Sequence, residues 1–208
     1  MMVKVEAREY KLEMLVEELR DLNRQIKENS IQTVSAMAQA LEARDAYTRG
    51  HAERVSYIAA GIAVEMGLEN GAVELVRTAG VLHDIGKIGC SDRIFQPHGA
   101  KNPPEVVKEI LSHPSVGAEI LGNLEFLSEV VELIKYHHER VDGKGYPDSI
   151  AGEEIPLGAR IIAVADGFDA MTTDRPYQKG MTHGEALEIL RKHAGTKWDA
   201  ECVAAFES

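Results

Sequence analysis

Residues 70–89 read NGAVELVRTAGVLHDIGKIG, and the character of the chain changes within this segment. Residues 70–84 predict a helix, whereas Gly86 and Gly89 predict that the chain then enters a loop. His83 and Asp84 therefore lie where a helix ends. The segment predicts a helix end that presents an imidazole and a carboxylate side by side.

The rest of the chain predicts an all-α fold. Ser30 is the predicted N-cap of a helix over 30–47. Further helices are predicted over 48–66, 104–111, 114–122, 127–139, 157–173, 183–194 and 199–206. Glycines and prolines predict loops over 85–103 and 140–156. Runs that alternate apolar and polar side chains over the length of a strand are scarce, so a helical bundle is expected.

The N-terminal residues 3–29 contain no glycine or proline and are rich in Glu, Lys and Arg. Their apolar side chains repeat at alternating spacings of 3 and 4: Leu12, Leu15, Leu19, Leu22 and Ile26. This heptad pattern predicts a helix and a candidate coiled coil. The alternative is a lone amphipathic helix that packs on its own domain. The predicted organisation is an N-terminal connector helix over 1–29 and one domain over 30–208.

Composition excludes several classes of protein. The 208 residues include 34 acids and 23 bases, a net charge of -11, which disfavours binding to nucleic acid polymers or anionic membranes. No run approaches the roughly 20 apolar residues of a membrane helix, so membrane insertion is not expected. Cys90 and Cys202 have no CxxC spacing, which favours a reducing cytoplasm over a disulfide scaffold. Eight histidines suit a protein that holds cations.

Seven polar residues are candidate metal ligands because they lie at helix ends or inside apolar runs. They are His51, His83, Asp84, His113, His137, His138 and Asp166. A set of imidazoles and carboxylates without cysteine suits Zn, Fe, Mn or Ni rather than thiophilic metals. Taken singly, a histidine at a helix end is more often a cap or a surface residue. A buried Asp166 could equally accept backbone or arginine hydrogen bonds.

These residues lie in motifs that resemble the HD-GYP domain, a group within the HD superfamily of metal-dependent phosphohydrolases. The motifs are HDIGK at 83–87, HHER at 137–140 and DGKGYP at 142–147, and the resemblance spans about residues 35–206. It implies an all-α HD-type bundle. It also implies hydrolysis of cyclic di-GMP to linear pGpG by a water activated between two metals, and it leaves open whether a second cut to GMP follows.

The resemblance implies a site for two divalent metals. One metal would be held by His51, His83, Asp84 and Asp166, and Asp84 would bridge to a second metal held by His113, His137 and His138. Fe or Mn is expected first, with Ni, Zn and Mg as alternatives. Some members hold a third metal through a Glu four residues before the histidine that matches His51. Because Tyr47 stands there, two metals are predicted.

The resemblance also implies substrate contacts. Lys87 would stabilise the developing phosphoryl charge, and Arg175 would clamp a phosphate with two hydrogen bonds. The alternative for each is a surface ion pair. Tyr146 would either stack on a guanine or anchor its loop. Many members carry a further Lys or Arg where this chain has Gln178, which leaves the choice among cyclic dinucleotides open.

The expected partners are a second copy of the chain and other signalling proteins. A parallel dimer is predicted through residues 5–28, which would connect the domain to a sensor in a larger protein. The GYP loop, residues 143–147, is a candidate surface for a GGDEF-type or other signalling protein. An alternative function is a catalytically weak module that binds a cyclic dinucleotide or a protein. Residues 143–147 argue against nucleoside-phosphate hydrolysis and oxygen activation, which other HD enzymes perform.

Overall fold

The computed structural model describes residues 2–44, 50–96, 102–174 and 179–208. In these ranges the α-helices are α1 (Met2–Glu42), α2 (His51–Glu65), α3 (Asn70–Leu82), α4 (Pro104–Leu121), α5 (Ser128–Tyr136), α6 (Leu157–Thr172), α7 (His183–His193) and α8 (Ala200–Phe206). Short 3-10 helices cover Ile85–Gly89, Asp92–Phe95, Glu125–Leu127 and Gly152–Glu154. The described ranges contain no strand beyond an isolated bridge between Ala194 and Trp198. The predicted all-α class is confirmed.

Two compact units make up the chain, residues 1–36 and residues 37–208. Helix α1 continues through Ser30, so the helix start predicted there is wrong. No glycine or proline lies between residues 3 and 42, and extending a helix is easier than nucleating a new one. Along α1 the heptad side chains are exposed, for example Leu19 at 61% and Leu22 at 53%. The division into 1–29 and 30–208 stays a prediction.

The core of residues 37–208 is built on α2, α3, α5 and α6. Helix α2 packs on α3 and α6, while α5 packs on α3, α4 and α6. Gly80 allows α2 and α3 to approach closely, because a Cβ there would lie 2.7 Å from the Cα of Ser56. This packing gathers the helices that carry or precede six of the seven candidate ligands, and the seventh, His113, lies on α4.

Helix α4 is continuous through Pro114, so the prediction of two short helices over 104–111 and 114–122 is wrong. A proline inside a helix removes one backbone hydrogen bond but need not end the helix when packing holds it. The segment predicted as a loop over 85–103 also contains the 3-10 helices Ile85–Gly89 and Asp92–Phe95. A membrane-crossing helix is not found in the described part of the chain.

Candidate metal centre

The structure brings the seven candidate ligands together in two adjacent groups. The ligand atoms of His51, His83 and Asp84 lie within 4.8 Å of one another, and so do those of His113, His137 and His138. Asp166 adjoins the first group, with Oδ1 3.3 Å from Nε2 of His51, and its side chain is 18% exposed. Residues from α2, α4 and α6 and from the ends of α3 and α5 therefore converge on one centre.

Asp84 lies between the two groups. Its Oδ2 is 3.9 Å from Nε2 of His51 and 3.6 Å from Nε2 of His83. Its Oδ1 is 3.2 Å from Nε2 of His113. The two oxygens of one carboxylate thus face two different groups of histidines, which is the arrangement a bridging ligand needs.

Helix ends set the orientation of two imidazoles. Nδ1 of His83 donates to the carbonyl of Gly80 at 2.8 Å, and Nδ1 of His137 donates to the carbonyl of Ile134 at 2.6 Å. Both acceptors belong to the last turn of a helix, where carbonyls lack partners within the helix. Because a carbonyl can only accept, Nδ1 carries the proton and Nε2 is left free to bind a cation.

The imidazole of His113 is oriented by a carbonyl that a proline leaves without a helical partner. Pro114 has no N–H, so the carbonyl four residues earlier, that of Ile110, loses its helical partner. Nδ1 of His113 donates to this carbonyl at 2.6 Å. Pro114 therefore helps to orient the imidazole that precedes it, and Nε2 of His113 faces Asp84.

His51 is oriented by a carboxylate that the sequence did not single out. Nδ1 of His51 lies 2.6 Å from Oδ2 of Asp169, and Asp169 is only 3% exposed. Arg54 holds the same carboxylate through Nε at 2.5 Å and Nη2 at 3.0 Å. A carboxylate behind a ligand histidine fixes its ring and raises its basicity. The only signal in the sequence was spacing: Asp169 lies three residues after Asp166, and Arg54 lies three residues after His51.

The protonation states suit a cation site. Burial lowers the pKa of His138 to about 4, and it also lowers the pKa of His83 and, further, that of His137. Burial acts against ionised Asp84, but Lys87 and His83 outweigh it and hold the pKa of Asp84 well below its usual value. Neutral imidazoles and ionised carboxylates are the forms that bind metals. This donor set therefore fits divalent cations.

His51 behaves differently because acids surround it. Burial disfavours its charged form, but hydrogen bonds with Asp166 and Asp169 outweigh this effect and raise the pKa of His51 to about 10. The same contact with His51 lowers the pKa of Asp166 against the opposing effect of its burial. Positive charge is thus strongly favoured at the position between Asp84 and Asp166.

The contact between Asp169 and His51 leads to a testable expectation. Asp169→Asn should weaken Mn²⁺ binding by about 10- to 100-fold, because the supporting negative charge behind His51 is lost. Competition with a fluorescent chelator measures the affinity. Asp21→Asn is the matched control, since it removes an exposed ion pair with Arg24 on α1. Equal Mn²⁺ affinities for Asp169→Asn and the wild type would contradict the role assigned to Asp169.

Lys87 and Tyr146 both contact the cluster. Nζ of Lys87 donates to Oδ2 of Asp84. The ring of Tyr146 stacks on His138, with ring centroids 4.8 Å apart and an interplanar angle of 28°. Tyr146 thereby anchors the GYP loop to the cluster, while its contact with substrate stays a prediction. Arg175, Tyr47 and Gln178 lie outside the described residues.

Gly145 explains why the GYP loop can lie against the backbone at His138, one of the candidate ligands. A Cβ at this position would be 2.4 Å from Cα of Glu139 and 2.6 Å from the carbonyl oxygen of His138. Glu139, 3% exposed, holds the other end of the loop, because its Oε1 accepts from the backbone N–H groups of Asp148 at 2.7 Å and Ser149 at 2.9 Å. Its position beside His138 was visible in the sequence, but its partners nine and ten residues later were not.

A cavity of about 670 Å³ adjoins the cluster. His138, Tyr146 and Asp166 line it on the side of the candidate ligands. Arg140, Lys144, Lys179 and Lys197 also line it. An anionic ligand that entered this cavity would meet both the cluster and these cations.

Comparison with known proteins shows which family the chain resembles. The HD domain family matches residues 35–202. The chain is 40% identical over 183 residues to the cyclic di-GMP phosphodiesterase response regulator RpfG of Xanthomonas campestris pv. campestris. The aligned region covers 87% of this chain and 48% of that protein. It is 36% identical over 174 residues to the 3'3'-cGAMP-specific phosphodiesterase 3 of Vibrio cholerae. This aligned region covers 84% of this chain and 38% of that protein.

A solved structure shares the fold. The crystal structure of a V. cholerae cyclic GMP-AMP-specific phosphodiesterase, V-cGAP3, matches 84% of this chain and 47% of that chain, with a TM-score of 0.65 and 22% identity. The chain spans about half or less of the length of these curated relatives. Because the family match covers most of the chain, the chain belongs to the HD domain family, and its similarity to cyclic di-GMP phosphodiesterases is consistent with the HD-GYP group.

Proposed function

We propose that this domain is a metal-dependent phosphodiesterase that hydrolyses cyclic di-GMP to linear pGpG, with GMP as the product of any second cut. The observation that carries the proposal is Asp84, whose two oxygens face separate histidine groups beside a cavity of about 670 Å³. That volume is in the range of ligand pockets, roughly 300–1,000 Å³.

The proposed site holds two divalent metals. His51, His83, Asp84 and Asp166 would hold the first, and Asp84, His113, His137 and His138 the second. Fe or Mn is the first choice, with Ni, Zn and Mg as alternatives, because imidazole–carboxylate sites accept several metals. When bound, the pair supplies positive charge and Lewis acidity to a phosphodiester.

The chain's own residues orient and neutralise the substrate. Lys87, held beside the cluster by Asp84, is placed to offset the charge that develops on a phosphoryl oxygen. Tyr146 and Glu139 keep the GYP loop against His138, so the cavity wall stays close to the cluster. Arg175 is proposed to join Lys87 in binding the reacting phosphate, which it would clamp with two hydrogen bonds.

Removal and return of metal test the proposal. Chelator-treated protein should show no phosphodiesterase activity. Addition of Mn²⁺ or Fe²⁺ under reducing conditions should restore the conversion of cyclic di-GMP to pGpG, which chromatography measures. A parallel reaction with 3'3'-cGAMP decides between the substrates named for the two curated relatives. Elemental analysis of the same samples should give about two metals per chain.

The opposite result has a defined meaning. Protein that contains two metals per chain but yields no linear product from either cyclic dinucleotide would overturn the proposed activity. Saturable binding of cyclic di-GMP without turnover would then favour the alternative, a signalling module without useful catalysis.

We further propose the setting in which the domain works. Residues 5–28 would pair with a second copy as a parallel coiled coil, which the exposed heptad side chains of α1 support. The GYP loop would contact a GGDEF-type or other signalling protein. Two unpaired cysteines, Cys90 and Cys202, support a reducing cytoplasm, with the domain forming part of a larger sensor protein.

A further inference from the structure

The cavity beside the metal centre has cations that the proposed chemistry does not use. Among its described lining residues, Arg140, Lys144, Lys179 and Lys197 carry positive charge. Lys179 adjoins residues 175–178, which lie outside the described ranges. The remaining three can be compared by their partners.

Asp142 offsets the charge of two of these cations. Arg140 holds Asp142 through two hydrogen bonds, from Nε at 2.9 Å and from Nη2 at 2.6 Å. Nζ of Lys144 lies 4.0 Å from Oδ2 of the same carboxylate. An incoming anion would therefore compete with Asp142 for both residues.

Unlike Arg140 and Lys144, Lys197 has an aromatic ring and not a carboxylate as its partner within the described ranges. Its Nζ lies over the ring of Trp198, 4.3 Å from the centroid, and no carboxylate of the described residues lies within 4.0 Å of it. The pKa of Lys197 is lowered, because desolvation and the charge of Arg140 both disfavour its ammonium form, while Asp166 acts in the opposite direction. An anion in the cavity would relieve this repulsion.

The support beneath Lys197 is fixed on several sides. Trp198 is 4% exposed, and its Nε1 donates to the carbonyl of Ala163 at 2.9 Å. Its ring packs on Gly167, where a Cβ would lie only 2.8 Å away. The backbone N–H of Lys197 donates to the carbonyl of His193 at 3.0 Å. The ammonium group thus lies over a buried, hydrogen-bonded ring at the edge of the cavity.

We propose that Lys197 binds the second phosphate of the dinucleotide, the one that is not being cleaved. The inference rests on the proposed function, since a cyclic dinucleotide has two phosphates in one ring and the metals can bind only the one that reacts. The other phosphate then needs a cation elsewhere in the cavity. Lys197 is a specificity residue in this scheme, because a substrate with one phosphate gains nothing from it.

Two substrates separate this role from a structural one. Lys197→Met should raise KM for cyclic di-GMP about tenfold through loss of one charge-assisted hydrogen bond, and leave kcat within about twofold. Hydrolysis of bis(p-nitrophenyl) phosphate, which has a single phosphate, should stay within about twofold of the wild type. Lys197→Arg should restore a low KM. Lys192→Met is the matched control, because Lys192 is exposed near the end of α7 and does not line this cavity.

Each outcome has a separate reading. An unchanged KM for cyclic di-GMP in Lys197→Met, or an equal loss on bis(p-nitrophenyl) phosphate, would overturn the role of Lys197 and leave the proposed function standing. If the wild type binds cyclic di-GMP without hydrolysing it, the proposed activity fails, and a tenfold weaker Kd in Lys197→Met still supports the inference. A wild type that neither binds nor hydrolyses a cyclic dinucleotide overturns both.

Discussion

Asp84→Asn is expected to lower phosphodiesterase activity by roughly 10³-fold or more. The substitution keeps the size of the side chain but removes its charge and replaces one ligand oxygen with a nitrogen that cannot bind a cation. Among the described residues, Asp84 is the carboxylate whose two oxygens face both histidine groups. Loss of about 4 kcal/mol of metal-derived charge stabilisation corresponds to about 10³-fold in rate.

Metal content separates this explanation from unfolding. Asp84→Asn should bind clearly fewer metals per chain than the wild type in elemental analysis, and should keep a helical circular dichroism spectrum. Asp92→Asn is the control, because it makes the same chemical change in a surface ion pair with Arg44. A variant that holds both metals and retains near-normal turnover would rule out the bridging role of Asp84.

Gly86→Ala is expected to destabilise the domain by about 3 kcal/mol, the upper end of overpacking costs. The added Cβ would lie 1.9 Å from the carbonyl oxygen of His113 and 2.5 Å from the backbone nitrogen of Gly117. Both atoms belong to the backbone of α4, which cannot move aside as a side chain can. For a chain of this size the cost corresponds to a fall in Tm of roughly 6–12 °C.

The matched control for this substitution lies on α2. Gly61→Ala meets no atom within 4 Å of the added Cβ, so it should raise stability by about 0.5–1 kcal/mol through better helix propensity. Thermal melts followed by circular dichroism measure both variants. Gly86→Ala should also weaken metal binding, because α4 carries His113. Equal melting temperatures for Gly86→Ala and the wild type would contradict the close approach of Gly86 to the backbone of α4.

Local signals predicted the helices well and failed where packing overrode them. Ser30 has the chemistry of an N-cap, but an uninterrupted run without glycine or proline carries α1 through it. Pro114 is a helix breaker in isolation, yet α4 continues because its neighbours hold it and because His113 takes the freed carbonyl of Ile110. In both places a residue that by itself favours a helix boundary lies inside a helix, because the neighbouring sequence or the tertiary packing favours a continuous helix.

The sequence by itself determined the helical class, the family and the residue types of the candidate metal centre, because periodicity, helix ends and short motifs are local properties. Only the tertiary structure decided which atoms meet. Asp169 lies 118 residues from His51 in the chain, and no local pattern records that contact. The two faces of Asp84 and the loop held by Glu139 depend in the same way on packing between separate helices and loops. So does the position of Lys197, which has no described carboxylate within 4.0 Å. Distances of a few ångströms between remote side chains are properties of the folded core, and these distances set the chemistry of the site.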